Sequence, residues 1–176
     1  MGKKYEFGSK VSVAMLPGSN VVVGVENFSG NPHDSKTLPV TLNSIREKFG
    51  KEFSRVIVAR GYRGHAQVGS SEVILPGVCQ GKSAYARRQH KLRCRGRSAI
   101  EAIIGHLKSD HRLGRNYLKG TLGDSLNGLL AGIGFNFRVL LREVAYFCLY
   151  FLFSSVSKLL GISSRKFVLS RAMKSY

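Results

Sequence analysis

Acidic side chains are scarce in this chain: ten Asp and Glu stand against 28 Lys and Arg in 176 residues, a formal charge of +18. A soluble domain with that imbalance calls for a polyanion nearby. Nucleic acid is the first candidate, because each phosphate neutralised by Lys or Arg releases condensed counterions, and an anionic membrane is the second. Cysteine is also sparse. Cys79, Cys94 and Cys148 are widely spaced and form no CxxC pair, which excludes a zinc finger and a disulfide framework and fits a reducing cytoplasm. No apolar h-region of a secretory signal occurs in residues 1–9, MGKKYEFGS. Long hydrophobic runs are missing too. The one worth testing, Val144 to Phe153, has ten residues where a membrane-spanning helix needs roughly 20, and it is bounded by Arg138, Arg142 and Glu143 on one side and Lys158 on the other. It is expected to be one face of a buried C-terminal helix, and a membrane is not expected as a partner.

The chain does contain enough apolar material, 43% of residues, to bury a core, which excludes global disorder. Val11, Val13 and Met15 alternate, the turn-formers Leu16-Pro17-Gly18-Ser19-Asn20 follow, and then VVVGV, so two strands joined by a turn are predicted. Asp34 is placed to cap a helix reaching Phe49, with Leu38, Leu42, Ile45 and Phe49 at helical spacing and Gly50 as its stop. Val56-Ile57-Val58, ahead of the glycine turn Gly61-Tyr62-Arg63-Gly64, suggests a buried strand in a mixed sheet. From Gly69 to Arg97 no period is visible and the charge turns basic, so a DNA-facing loop is expected there.

From Ser98 the spacing of Ile100, Ile103, Ile104 and Leu107 predicts an amphipathic helix. A second helix is expected from about Asp124, burying Leu126, Leu129, Leu130, Ile133, Phe137, Leu140 and Leu141, with Gly128, Gly132 and Gly134 permitting close packing. Phe135, Phe137, Phe147, Phe151 and Phe153 are expected in the core. Strands first and helices last point to an α/β or α+β domain. The tail after Gly161 has no pattern that assigns it.

Glu101 lies four residues after Arg97 and seven before Lys108, which puts all three on nearly one helical face, opposite the isoleucines. A carboxylate flanked by bases suits metal-assisted phosphoryl transfer, the acid holding Mg²⁺ and the bases contacting phosphate. By spacing alone, Ser98 and Glu101 fit the commoner role of an S-x-x-E capping box. His65, His90, His106 and His111 have no partner at metal-ligand spacing.

The pattern Arg97, three residues, Glu101, six residues, Lys108 resembles the R-(3)-E-(6)-K signature of insertion-sequence DDE transposases. So do KYEFGSKVSVA (4–14), GNPHDSKTL (30–38), RGYRGH (60–65) and GHLKSDHRLGRNYLKG (105–120), in the family's order over roughly residues 4–143. The resemblance implies an α/β, RNase H-like mixed sheet with C-terminal helices. In such a domain two aspartates and a glutamate hold divalent metal, Mg²⁺ by expectation, for cleavage and strand transfer of duplex DNA bearing terminal inverted repeats. Glu101 corresponds to the glutamate, with Arg97 and Lys108 positioning DNA. A second transposase chain is an implied partner, no small-molecule substrate is, and the implied place is the cytoplasm at the nucleoid.

Two departures accompany the match. Relatives read VDRGYRG where this chain has VARGYRG, so Ala59 stands where the second metal-binding aspartate would be. The first aspartate lies in the family on a strand upstream of KYEFG. That strand is expected to be missing, leaving the strands around 10–26 and 55–58 without a shared neighbour. Asp34 is the nearest substitute acid, though a helix cap is its commoner role, and Cys94 occupies a tyrosine position of the signature. The expected organisation is a partial catalytic domain over 1–143 and a hydrophobic helix with a basic tail over 144–176. The copy is expected to be inactive, and DNA contacts are assigned to Arg63, Arg87, Arg88, Lys91, Arg93, Arg95, Arg97, Lys108, Arg112 and Arg115. Tyr62 is assigned either to DNA or to packing within its turn. The rival readings are a non-enzymatic basic protein that binds DNA or RNA through residues 82–119 and a membrane-associated remnant anchored by residues 144–160.

Overall fold

The computed structural model describes residues 8–62, 66–77 and 83–159, with the side chain of Arg93 left out. Arg63, the Arg93 side chain, Cys79 and the tail after Gly161 therefore lie outside the described residues. The chain divides into two compact units, Met1–Phe135 and Asn136–Tyr176.

In the first unit, β1 (Lys10–Met15) and β2 (Val22–Phe28) pair antiparallel from Lys10↔Phe28 to Met15↔Val22, with a register irregularity at Ala14/Met15. The predicted turn closes them. Asn20 adopts the left-handed backbone (φ 58°) and Leu16 N–H donates to the Val21 carbonyl at 2.9 Å. Helix α1 (Asp34–Phe49) follows, stopped by Gly50 in the left-handed conformation (φ 62°), whose N–H reaches the Arg46 carbonyl. Its cap is His33 and not Asp34. His33 has the extended backbone that a cap requires, and its Nδ1 accepts from Ser35 N–H at 3.3 Å. Asp34 begins the helix and pairs with Lys10 of β1 at 2.5 Å.

A second sheet holds β3 (Arg55–Ile57), β4 (Gln67–Val68) and β5 (Ser71–Ile74) in the order β3-β5-β4, with β3 parallel and β4 antiparallel to β5. This is the mixed sheet foreseen for Val56–Val58. Among the described residues it shares no strand with the β1-β2 sheet. Helix α1 serves both sheets. Ile45, 1% exposed, seats against Gly24 of β2, where a Cβ would come within 2.8 Å of its side chain. Leu38 is buried with Val58 and Val73, and Leu42, Val56 and Tyr62 pack around them. Tyr62 is thus a packing residue of its turn, whereas Phe49 is exposed.

The stretch expected to be a loop is largely ordered secondary structure. After β5 comes α2 (Ala84–Arg95), capped by Ser83, whose Oγ accepts from Ala86 N–H at 3.2 Å. No Gly or Pro interrupts residues 83–95, and a polar helix needs no apolar period when only part of it is covered. Helix α3 (Arg97–Ser109) follows after Gly96 and buries Ile103 and Leu107.

Helix α4 (Gly120–Leu159) begins four residues before Asp124 and runs into the second unit. Its buried face is not the predicted leucine stripe. Gly128, Ala131, Gly132 and Phe135 are buried, while Leu126, Leu129, Leu130, Ile133 and Phe137 are exposed. The reason is close approach: a Cβ at Gly132 would stand 2.9 Å from Val25 of β2, and one at Gly128 3.2 Å. The side carrying glycine goes inward because bulk there would hold the helix off the sheet. Phe135 meets His111 edge-on at 5.9 Å, but Phe147, Phe151 and Phe153, expected in the core, are exposed. In the second unit Val139 and Ser157 are buried, and every residue from Leu140 to Phe153 is exposed, so the foreseen buried C-terminal face, with Leu140 and Leu141, is absent among the described residues.

Two stability outcomes follow from this packing. Ile45→Ala should lower stability by about 3 kcal/mol, and Gly132→Val by about 1–3 kcal/mol, both seen as shifts in the urea midpoint; midpoints unchanged in either would mean that these contacts do not hold the fold. With its strands split between two sheets, the unaltered chain should unfold over a broad denaturant range. A sharp transition with a large m-value would contradict that expectation.

Candidate nucleic-acid interface

Helix α2 carries half of the predicted basic contacts. Arg87, Lys91 and Arg95 recur at every fourth residue and so share one face, with Arg88 beside them; all four are exposed. Like charges at this spacing repel within the helix, by a few tenths of a kcal/mol per pair, so the arrangement suits an external anion. A shallow depression on this helix is lined by Arg88, Lys91, Leu92, Cys94 and Arg95. His90 Nε2 lies 3.5 Å from Cys94 Sγ, one turn away. This histidine therefore has a cysteine neighbour, contrary to the reading from spacing, but two donors do not complete a metal site. Among the described residues no group of three or more His, Cys, Asp or Glu could hold a metal ion.

Helix α3 carries Arg97, Glu101 and Lys108 as foreseen, but the capping box is not formed. Gly96 ends α2 and starts α3 with helical backbone (φ −64°, ψ −19°) and no side-chain cap. An N-cap needs extended backbone. Ser98 is instead inside the helix and donates its Oγ hydrogen bond back to the Arg95 carbonyl at 2.9 Å. Glu101, freed from capping, accepts from Arg97 Nη2 at 2.9 Å in an exposed i, i+4 ion pair, worth about 0.3–0.5 kcal/mol. Lys108 is exposed in the last turn of the helix, one residue before its end.

The loop from α3 to α4 contributes two further cations. Arg112 has left-handed backbone (φ 58°), and its guanidinium lies 5.9 Å from the centre of the Tyr117 ring. Arg115 N–H donates to the Arg112 carbonyl at 3.1 Å, and both side chains are exposed. Asn116 organises the entry to α4, its side-chain NH₂ donating to Asp124 Oδ1 at 2.5 Å and its Oδ1 accepting from Leu118 N–H at 2.9 Å. His106, a turn before this loop, pairs through Nδ1 with Asp110 at 2.8 Å.

Ala59 follows β3, half-buried, and its carbonyl accepts from Tyr62 N–H at 3.1 Å in the short 3-10 turn Arg60–Tyr62. Asp34 reaches the same turn: a Cβ on Gly61 would collide with its carboxylate. That acid is held by Lys10, and Glu101 by Arg97. The donor set that divalent metal chemistry needs is thus not assembled from these residues. Sequence reasoning located Glu101, Arg97 and Lys108 on one helix but missed α2 as a rigid basic face. The available signal was Ser83 followed by twelve residues free of Gly and Pro.

No curated protein and no solved structure matches the chain. The family of the transposase DDE domain matches residues 1–130, about three-quarters of the 176. With the mixed α/β unit compatible with an RNase H-like domain and the basic helices beside it, the match establishes that this chain belongs to the DDE transposases, which act on DNA in transposition and recombination.

Proposed function

We propose that this chain is an insertion-sequence transposase copy that keeps the DNA-binding surface of its family and has lost the metal-dependent strand-transfer step. The observation that carries this reading is Ala59. A methyl group offers no lone pair to a cation, and it stands after β3 in the turn that packs against Asp34. The family generally works with divalent metal ions, Mg²⁺ by expectation, and two-metal phosphoryl transfer needs several carboxylates converging on one point. Glu101 alone, neutralised by Arg97, does not fit that requirement, so no cleavage step is assigned to it.

What remains is electrostatic binding of duplex DNA, with the element's terminal inverted repeats as the natural target, a second transposase chain as a further partner and the nucleoid as the place of action. Arg87, Lys91 and Arg95 on α2 act as phosphate contacts, and Arg97, Lys108, Arg112 and Arg115 extend the cationic surface along the chain. Such contacts set register and affinity without reading sequence.

Two outcomes test the proposal. Binding to duplex DNA should weaken steeply with salt, and the triple variant Arg87→Ala/Lys91→Ala/Arg95→Ala should flatten the slope of log K against log[salt] by about 3; an unchanged slope would remove α2 from the interface. DNA carrying the terminal repeats should stay uncut in Mg²⁺ or Mn²⁺, and Ala59→Asp alone should not restore nicking, because one carboxylate does not rebuild a site that needs three. Nicking by the unaltered chain or by that single variant would refute the loss of activity.

A further inference from the structure

The loop between α3 and α4 has no regular structure, yet it is pinned at both ends. Leu113 N–H donates to the Leu107 carbonyl at 2.9 Å, and Gly114 lies against Lys108, where a Cβ would stand 3.5 Å from the lysine carbonyl oxygen. At the other end Asn116 holds Asp124 and the Leu118 N–H. Between these pins Arg112 takes the left-handed backbone (φ 58°), which a residue with a long side chain rarely adopts and which its surroundings must hold in place. Arg115 N–H and the Asn127 side-chain NH₂ both donate to its carbonyl, at 3.1 and 3.4 Å. The Arg112 guanidinium is thereby set over one face of the Tyr117 ring, 5.9 Å from its centre. Tyr117 is still 71% exposed, so packing inside the fold is not what its ring serves.

We propose that Tyr117 is a stacking platform for an unpaired nucleobase at the border of a bound duplex, an inference that rests on the DNA-binding reading above. Stacking on an aromatic ring is open to every base, because each has a π-face. Inside a duplex both faces of a base are covered by its neighbours, so the base that Tyr117 takes is an unpaired one. Charge around the ring selects the ligand class. Lys108, Arg112, Arg115 and Lys119 are exposed along this stretch, while its acids Asp110 and Asp124 are engaged by His106 and Asn116. Cations beside an open aromatic face match the two parts of a nucleotide, phosphate and base. Held by its pins, the loop offers both parts together at little cost in ordering.

The test compares two DNAs with the same number of phosphates: a short duplex ending in an unpaired thymine on each strand, and the same duplex with those nucleotides abasic. The unaltered chain should bind the thymine-ended duplex at least about fivefold tighter, the factor that ~1 kcal/mol of base–aromatic stacking supplies. Tyr117→Ala should lose that preference while keeping its affinity for the abasic duplex and its salt slope, since no phosphate contact is removed. Tyr117→Phe should keep the preference, because the ring is retained. Three results overturn the proposal: equal binding of the two DNAs by the unaltered chain, as would follow if the ring capped a terminal base pair or met only solvent; a preference that survives Tyr117→Ala; or a preference lost in Tyr117→Phe, which would make the hydroxyl the contact. Equal binding with a steep salt dependence leaves the duplex reading standing, whereas binding to neither DNA overturns both.

Discussion

The packing of α1 is the contact on which the first unit depends. Its buried face closes two sheets that share no hydrogen-bonded strand: Ile45 over Gly24 on one side, Leu38 with Val58 and Val73 on the other. Thr37 and Thr41 lie in the same face and are fully satisfied, their hydroxyls donating to the carbonyls of Asp34 and Thr37 at 2.9 Å each. Two small sheets covered from one helix have little of the ladder cooperativity of a continuous sheet. Side-chain packing therefore carries the connection, and the Lys10–Asp34 pair fastens the start of α1 to β1.

Glycine distribution does comparable work at α4. Gly128 and Gly132 bring the helix backbone onto Val25 of β2, and Ala131 and Phe135 complete the buried side. Large residues at 126, 129, 130, 133 and 137 are directed to solvent as a consequence. Apolar content along a helix says that some face is to be covered, but closeness of approach decides which. In the second unit large apolar side chains continue through Phe153 and are exposed.

At the site, phosphate binding and metal chemistry make different demands. Cations on α2, on α3 and in the loop before α4 remain as an exposed surface suited to phosphate, a role that tolerates drift because it needs number more than position. Metal-assisted phosphoryl transfer tolerates none, since its carboxylates must converge on ions a few ångströms apart. Position 59 is an alanine, and Glu101 is a surface acid paired with Arg97.

By itself the sequence determined the two leading strands and their turn, α1 and its glycine stop, the strand at 55–57, the helix bearing Arg97, Glu101 and Lys108, and the transposase family. Each rests on local signals: alternation, helical spacing, turn-forming residues, or a fixed motif spacing. Only the tertiary structure decided that Ser98 caps nothing, that His33 takes the place of Asp34 as the cap, and that the glycine side of α4 faces inward. These three depend on what surrounds each residue in space: a neighbouring helix end that continues the backbone, an extended residue one position earlier, a sheet close enough to exclude a Cβ. Composition and period do not encode those distances, and so the buried face of α4 and the partners of its charged residues had to come from the fold.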